Sequence, residues 1–319
     1  MTKPVSFRLR NVPLLSRVGA DRADHLRTDV NAAVAGWGEA ALLRVDDRNQ
    51  VLVVDQRVVL APATELGDVP PPDAVFLGRI ADGRHVWAVR APLAAPPDGP
   101  AHPDGPAPPA RAIDPRRSAV PFDDVSAQLV AGALALLNWH DSARFSPTDG
   151  SPTRPVRSGW ARRNVLTGQE DFPRVDPAVI CLVHDGADRA VLARQTVWPP
   201  RLFSLIAGFV EAGESFETCV VREVAEEIGL TVRDVHYLGS QPWPFPRSLM
   251  VGFHAVADPG QDFAFNDGEI AEAAWFTRAE VRAALEEGDW SSDSTSRLLL
   301  PGSISIAREI IESWAYHGG

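Results

Sequence analysis

Residues 208–230 read GFVEAGESFETCVVREVAEEIGL, and their spacing sets the reading of the whole chain. Gly208, Glu214, Arg222, Glu223, Glu226, Glu227 and Gly229 stand at fixed intervals, with apolar Val224 and Leu230 filling set places. On a helix, Glu223, Glu226 and Glu227 fall at i, i+3 and i+4, so their carboxylates project from one face. Three like charges that close repel one another unless a cation neutralises them. Hard oxygen donors grouped in this way suit Mg²⁺ or Mn²⁺, the ions that accompany phosphate chemistry.

The flanking residues frame that helix. Ser215 is placed to cap its N-terminus, and Gly229 to end it in the left-handed conformation. Val220, Val221, Val224 and Ile228 give the apolar stripe expected to dock it on a core. Gly208 and Gly213 punctuate a loop where a side chain would obstruct a close approach. Arg222 precedes Glu226 by four residues, so an ion pair would orient that carboxylate.

The stretch resembles the Nudix box, G-x5-E-x7-R-E-U-x-E-E-x-G-U with U apolar, and every defined position matches. The resemblance implies an enzyme in which carboxylates hold divalent ions on a diphosphate and water displaces one phosphoryl group. The catalytic residues it implies are Arg222, Glu223, Glu226 and Glu227, the three glutamates as metal ligands.

Composition bounds the alternatives. The chain has 319 residues, 45% of them hydrophobic and 23% charged, as in a soluble globular protein long enough for two domains. A formal net charge of −11 argues against a broad nucleic-acid footprint, so an anionic substrate must be met by metal ions and individual arginines. Cys181 and Cys219 are the only cysteines and read as buried free thiols, not a disulfide framework. The eight histidines show no HxxxH spacing, which leaves a zinc hydrolase without support. The N-terminal stretch MTKPVSFRLRNVPLLSRV lacks a sustained apolar run and a cleavage-site pattern, and no window approaches a membrane span. A cytoplasmic location with no membrane partner is the default expectation.

Along the chain, residues 1–93 read as an N-terminal α+β domain rich in strands. It has β-rich runs at 40–60 and a hairpin, AVFLGRIADGRHVWAV, turning at Asp82-Gly83. Residues 94–118 are proline-rich and read as a linker. Residues 119–176 begin with a helical pattern in which Leu129, Ala133, Leu136 and Leu137 share one side. From residue 177 to 319 the order becomes mixed α and β: AVICLVH and AVLARQ as strands, the box helix, MVGFHAVA as a strand, then AEAAWF leading into Thr277 as an N-cap. This order suits the α/β class, an α/β/α sandwich with a mixed sheet, as in the Nudix fold.

Eleven residues after Gly229 begins Ser240-Gln241-Pro242-Trp243-Pro244-Phe245-Pro246-Arg247-Ser248. Three prolines at alternate positions stiffen the segment and bar it from the centre of a sheet, so a loop or an edge is expected. Stiffness holds Trp243 and Phe245 in place at little entropic cost, as stacking on a heterocycle requires.

SQPWPFPxS downstream of a Nudix box is the signature of the NADH pyrophosphatase family, which this chain resembles over roughly residues 137–314. The resemblance implies hydrolysis of NAD(H) to AMP and nicotinamide mononucleotide, and also removal of NAD caps from RNA. It implies a homodimer whose two chains shape the base pocket, and Mg²⁺ or Mn²⁺ as cofactor. Matching onto the family pattern puts Phe209 and Phe172 on either side of a base. Ile180, Gln241, Trp243, Ser248 and Met250 line the pocket, Ala307 matches more loosely, and Glu269 is an additional metal ligand.

One departure is informative. Family members often carry a four-cysteine zinc ribbon, but Ser146, Asp149, Asn164 and Thr167 stand at those positions here. Without thiolates no structural zinc is expected, and side-chain hydrogen bonds are expected to hold a degenerate, zinc-ribbon-like segment. Two other functions share these motifs: a Nudix hydrolase of ADP-ribose or a diadenosine polyphosphate, and a non-catalytic NAD-sensing module. The intact ExxEE set and Arg222 argue against the sensor.

Overall fold

Apolar residues run unbroken through Ala41–Leu43, Val51–Val54 and Val75–Leu77, with burial alternating along Val51–Val54, and each run lies in a strand. The structure, a computed structural model, describes residues 6–93, 109–117, 120–265, 268–290 and 296–317. These fall into two units: residues 17–175 with 243–247, and residues up to 16 with 176–242 and those from 248 onward.

The first unit carries helices α1 (Asp24–Thr28) and α2 (Val30–Ala35), then β1 (Ala41–Val45), β2 (Val51–Val54), β3 (Arg57–Val58), β4 (Leu60–Pro62), β5 (Val75–Arg79), β6 (His85–Arg90) and β7 (Arg111–Ile113). One sheet runs β4–β1–β6–β5 and another β3–β2–β7. The β5–β6 hairpin turns at Asp82-Gly83 as its sequence predicts, with Gly83 at a φ of 86° that suits glycine. Trp37, Phe76 and Trp87 fill the core; Trp87 meets Trp37 and Phe76 edge-on at 5.7 and 5.2 Å. Of the span read as a linker, residues 94–108 and 118 lie outside the described residues. Arg111–Ile113, just past Pro109, pairs antiparallel with β2.

Helix α3 (Asp124–Ser142) follows, capped by Asp123, whose carboxylate accepts from the Ser126 amide at 2.8 Å. Leu129, Ala133, Leu136 and Leu137 are all buried. Then come β8 (Thr153–Val156), β9 (Ala161–Asn164) and β10 (Glu170–Asp171), in the order β10–β9–β8. Here the four positions without cysteine carry a hydrogen-bonded clasp. Asn164 Nδ2 donates to both Asp149 oxygens at 2.9 and 3.0 Å, while Asn164 Oδ1 accepts the Leu166 and Thr167 amides at 2.9 and 3.1 Å. Asp149 also takes the Ser151 amide at 3.0 Å, and Ser146 Oγ the Thr148 amide at 3.3 Å. These donors hold the Asp149 carboxyl below its ordinary pKa, the Ser151 amide first among them.

The second unit is built on β11 (Asp176–His184), β12 (Arg189–Gln195), β13 (Ile206–Phe209), β14 (Val232–Trp243), β15 (Ser248–Ala257) and β16 (Ile270–Thr277). The sheet order is β14–β15–β11–β12–β16, with β13 also on β11; β11 and β15 are parallel, β12 and β16 antiparallel. Val179, Cys181 and Val183 face one side with helix α4 (Phe216–Ile228). Ile180 and Leu182 face the other with α5 (Arg278–Glu286) and α6 (Ile306–Ala315). Strict two-residue alternation thus makes the α/β/α sandwich. β14 lies at the sheet edge, where Pro242 costs no ladder hydrogen bond inside the sheet. Residues 6–16 belong here too: Phe7 joins the α6 core, the Arg10 amide donates to Ser313 Oγ at 2.9 Å, and Ser16 Oγ donates to the Ser240 carbonyl at 2.7 Å.

Two buried histidines couple β11 to β15. His184 Nδ1 accepts the Gly186 amide at 3.1 Å, which puts the proton on Nε2 and makes it the donor to His254 Nδ1 at 3.0 Å. Burial holds both rings neutral, lowering each pKa to about 4.

Candidate functional site

The box forms a strand–turn–helix unit. β13 ends at Phe209, Gly213 turns the chain at a φ of 89°, and Ser215 Oγ caps α4 by accepting the Thr218 amide at 3.2 Å. Gly229 ends the helix with a φ of 74°. Val220, Val224 and Ile228 are fully buried, as is Cys219. Val221 departs from the expected stripe: it is 40% exposed, because one residue past Val220 is about 100° round the helix.

Arg222 is the hub of the site. Its Nε and Nη2 form a fork on Glu214 at 2.9 and 2.8 Å, its Nη1 donates to Glu223 and Glu226 at 2.9 Å each, and Nη2 also reaches the Phe209 carbonyl at 3.0 Å. The i, i+4 pair with Glu226 is therefore present, but as one arm of a larger set. Arg222 holds Glu214 down to about pKa 2, and the guanidinium is itself pushed further from titration by that pairing. The fork to Glu214 escaped the sequence reading because Glu214 precedes the helix, where helical spacing says nothing about neighbours.

Glu223, half-buried, lies directly against β13. A Cβ on Gly208 would overlap its carboxylate, so only glycine leaves room for it there. Burial raises the Glu223 pKa against the pull of Arg222, and the charges of Glu226 and Glu269 raise it further. Glu227 is buried, while Glu226 remains exposed. Glu269, just before β16, accepts Gln195 Nε2 at 2.8 Å; Gln195 had no signal in the sequence. The donors are all carboxylate oxygens, which fits a hard divalent cation, and a cation would relieve the mutual repulsion felt at Glu223. Among the described residues no three such groups already converge into a closed cage; Glu223 and Glu226 are turned to Arg222.

The residues matched to a base pocket divide between the units. Phe209 is 59% exposed and follows Gly208, so strand alternation directs it to the face opposite Glu223. Ile180 and Ala307 are buried in the core on that face, with Met250 packed against it. Gln241 is fully buried beside α6, its Nε2 donating to the Ile304 carbonyl at 2.9 Å and its Oε1 without a partner among the described residues. Ser248 begins β15 opposite Asp176. Phe172 and Trp243 belong to the other unit. Phe172 is 51% exposed on the ribbon-like segment, and Trp243 meets Phe245 edge-on at 4.9 Å. A cavity of about 870 Å³ beside α5, lined by Arg194, Phe203 and Phe276, includes none of the box carboxylates or these matched residues.

Both cysteines are free and buried, and burial raises their pKa, that of Cys219 to about 12. Among the described residues no helix is long and apolar enough to cross a membrane.

The NUDIX domain pattern matches residues 174–298. The chain is 71% identical to a protein of Mycobacterium bovis named NAD-capped RNA hydrolase NudC, over 98% of this chain and 97% of that one. It is 41% identical to the mouse mitochondrial NAD(P)H pyrophosphatase NUDT13, over 62% of this chain and 58% of that protein. Among solved structures, a NUDIX hydrolase from Nitrosomonas europaea is 18% identical with a TM-score of 0.36, covering 42% of this chain and 77% of that one.

Proposed function

This chain belongs to the Nudix hydrolases, in their NADH pyrophosphatase branch, and from that premise we propose that it hydrolyses the diphosphate of NAD(H) to AMP and nicotinamide mononucleotide. The observation that carries the reading is the placement of Glu223 and Phe209 around Gly208. The carboxylates and the exposed aromatic ring lie on opposite faces of one strand end, so a diphosphate crossing that end presents its phosphates to one and its base to the other.

Glu223, Glu226, Glu227 and Glu269 would hold the cation, Mg²⁺ or Mn²⁺, which would supply Lewis-acid polarisation of a phosphoryl oxygen and a lowered pKa for the attacking water. Arg222, anchored on Glu214, fixes the direction of the Glu223 and Glu226 carboxylates. Phe209 and Phe172 stack on a base, while Ile180, Gln241, Trp243, Ser248, Met250 and Ala307 shape its surroundings. In this reading the enzyme is a cytoplasmic homodimer whose ribbon segment needs no zinc.

The name of the mycobacterial relative supports a second substrate, RNA bearing an NAD cap. Product analysis tests both: AMP and nicotinamide mononucleotide from NADH, and 5′-monophosphate RNA from a capped transcript. Equal rates on NADH, ADP-ribose and a diadenosine polyphosphate would replace NAD(H) with a general diphosphate substrate.

A further inference from the structure

The unit of residues 17–175 and 243–247 has a groove that none of this chemistry uses. A cavity of about 380 Å³ is lined by Arg48, Asp114, Arg116, Asn138, Asp141 and Phe245, among others. It adjoins a second, of about 430 Å³, that shares Asp114 and adds Arg117. In a chain of net charge −11, three arginines along one groove are a local reversal of sign.

Their availability sets them apart. Among the described residues, the guanidinium groups of Arg48, Arg116 and Arg117 make no hydrogen bond or ion pair. Of the two acids lining the groove, Asp141 is paired with Arg90 at 2.8 Å, while Asp114 accepts the Arg116 amide at 2.9 Å and keeps its charge, leaving three guanidinium groups against one uncompensated carboxylate. Asn138 accepts from Arg90 at 2.8 Å and donates to the Pro244 carbonyl at 2.9 Å, which pins the proline-rich loop against the groove. That contact fixes Phe245, half-buried, as an aromatic wall beside the cations. Fixed aromatic surface plus unpaired guanidinium groups is the chemistry that recognises a single-stranded polynucleotide, by stacking and phosphate contact.

We propose that this groove binds the RNA body behind the cap, with Arg48 and Arg116 on backbone phosphates and Phe245 against a base. The inference rests on the capped-RNA reading above and gives the N-terminal unit a role in it. An aromatic and a few cations give a local site, not a broad basic surface, which agrees with the acidic chain.

The test uses the full chain and an uncapped 5′-monophosphate RNA of roughly ten nucleotides, followed by fluorescence anisotropy at two salt concentrations. In the double variant R48A/R116A, affinity should fall at least about tenfold, and the slope of log K against log salt should become shallower by about 1.4, two single-strand phosphate contacts. Hydrolysis of NADH should stay within about twofold, while kcat/KM on the same RNA carrying an NAD cap falls with the affinity. Unchanged RNA affinity and slope would overturn the groove. So would an equal loss of affinity in R84A, which removes a positive charge at the β5–β6 turn, because binding would then be diffuse. If the unaltered protein cleaves neither NADH nor capped RNA, the proposed reaction fails, and the anisotropy measurement still decides the groove.

Discussion

The carboxylate of Glu223 occupies the space where a side chain on Gly208 would be, so a strand glycine and a helix glutamate fifteen residues apart in number share one position in space. Gly208→Ala must therefore push Glu223 aside or spread β13 from α4. Hydrolysis of NADH should fall at least about tenfold through misplacement of one carboxylate. The accompanying loss of stability should stay near the ~1–3 kcal/mol typical of overpacking. Steady-state rates beside urea unfolding check this; activity within twofold of the parent would show that Glu223 is dispensable.

Arg222→Lys keeps the charge but loses the fork. A single ammonium cannot hold both Glu214 oxygens, Glu223, Glu226 and the Phe209 carbonyl at once. A fall of about 10²-fold in kcat is expected, with Glu214→Gln giving a smaller loss in the same direction. If the lysine variant works at the parental rate, Arg222 serves only as a counter-charge.

Chelation should stop NADH hydrolysis, and added Mg²⁺ or Mn²⁺ should restore it. Glu227→Gln should abolish turnover while NAD(H) still binds by calorimetry. Equal loss of binding would move Glu227 from chemistry to folding, which its burial also permits.

The Asp149–Asn164 clasp predicts a ribbon segment indifferent to chelators. Asn164→Ala strands the Leu166 and Thr167 amides and should cost about 1–3 kcal/mol. Chelator should leave the parental Tm unchanged. A drop in Tm on chelation, reversed by zinc, would count decisively against the clasp.

The His184–His254 pair sets a pH dependence of opposite sense to a salt bridge made by a charged histidine. Both rings titrate near 4 when folded and near 6.5 when unfolded, so below about 6.5 the unfolded chain binds more protons. Stability is then whole above pH 6.5 and declines as pH falls toward 4. Replacing both histidines with phenylalanine should flatten the fall in Tm between pH 7 and pH 5; an unaltered slope would assign it to other groups.

The sequence by itself determined the local elements and the reaction class. The unbroken apolar run Val179–Val183 marks a strand buried on both faces, and Ser215 and Gly229 bound α4 with local chemistry that needs no tertiary help. The ExxEE register, being helical, was legible for the same reason. Tertiary structure decided what rests on approach between distant segments: Gly208 under Glu223, Glu214 under Arg222, Gln195 on Glu269, and Phe7 in the α6 core. Helical and strand periodicity fix the direction of a side chain relative to its own backbone. Which other backbone it meets depends on how the sheet is ordered, and no local spacing encodes that.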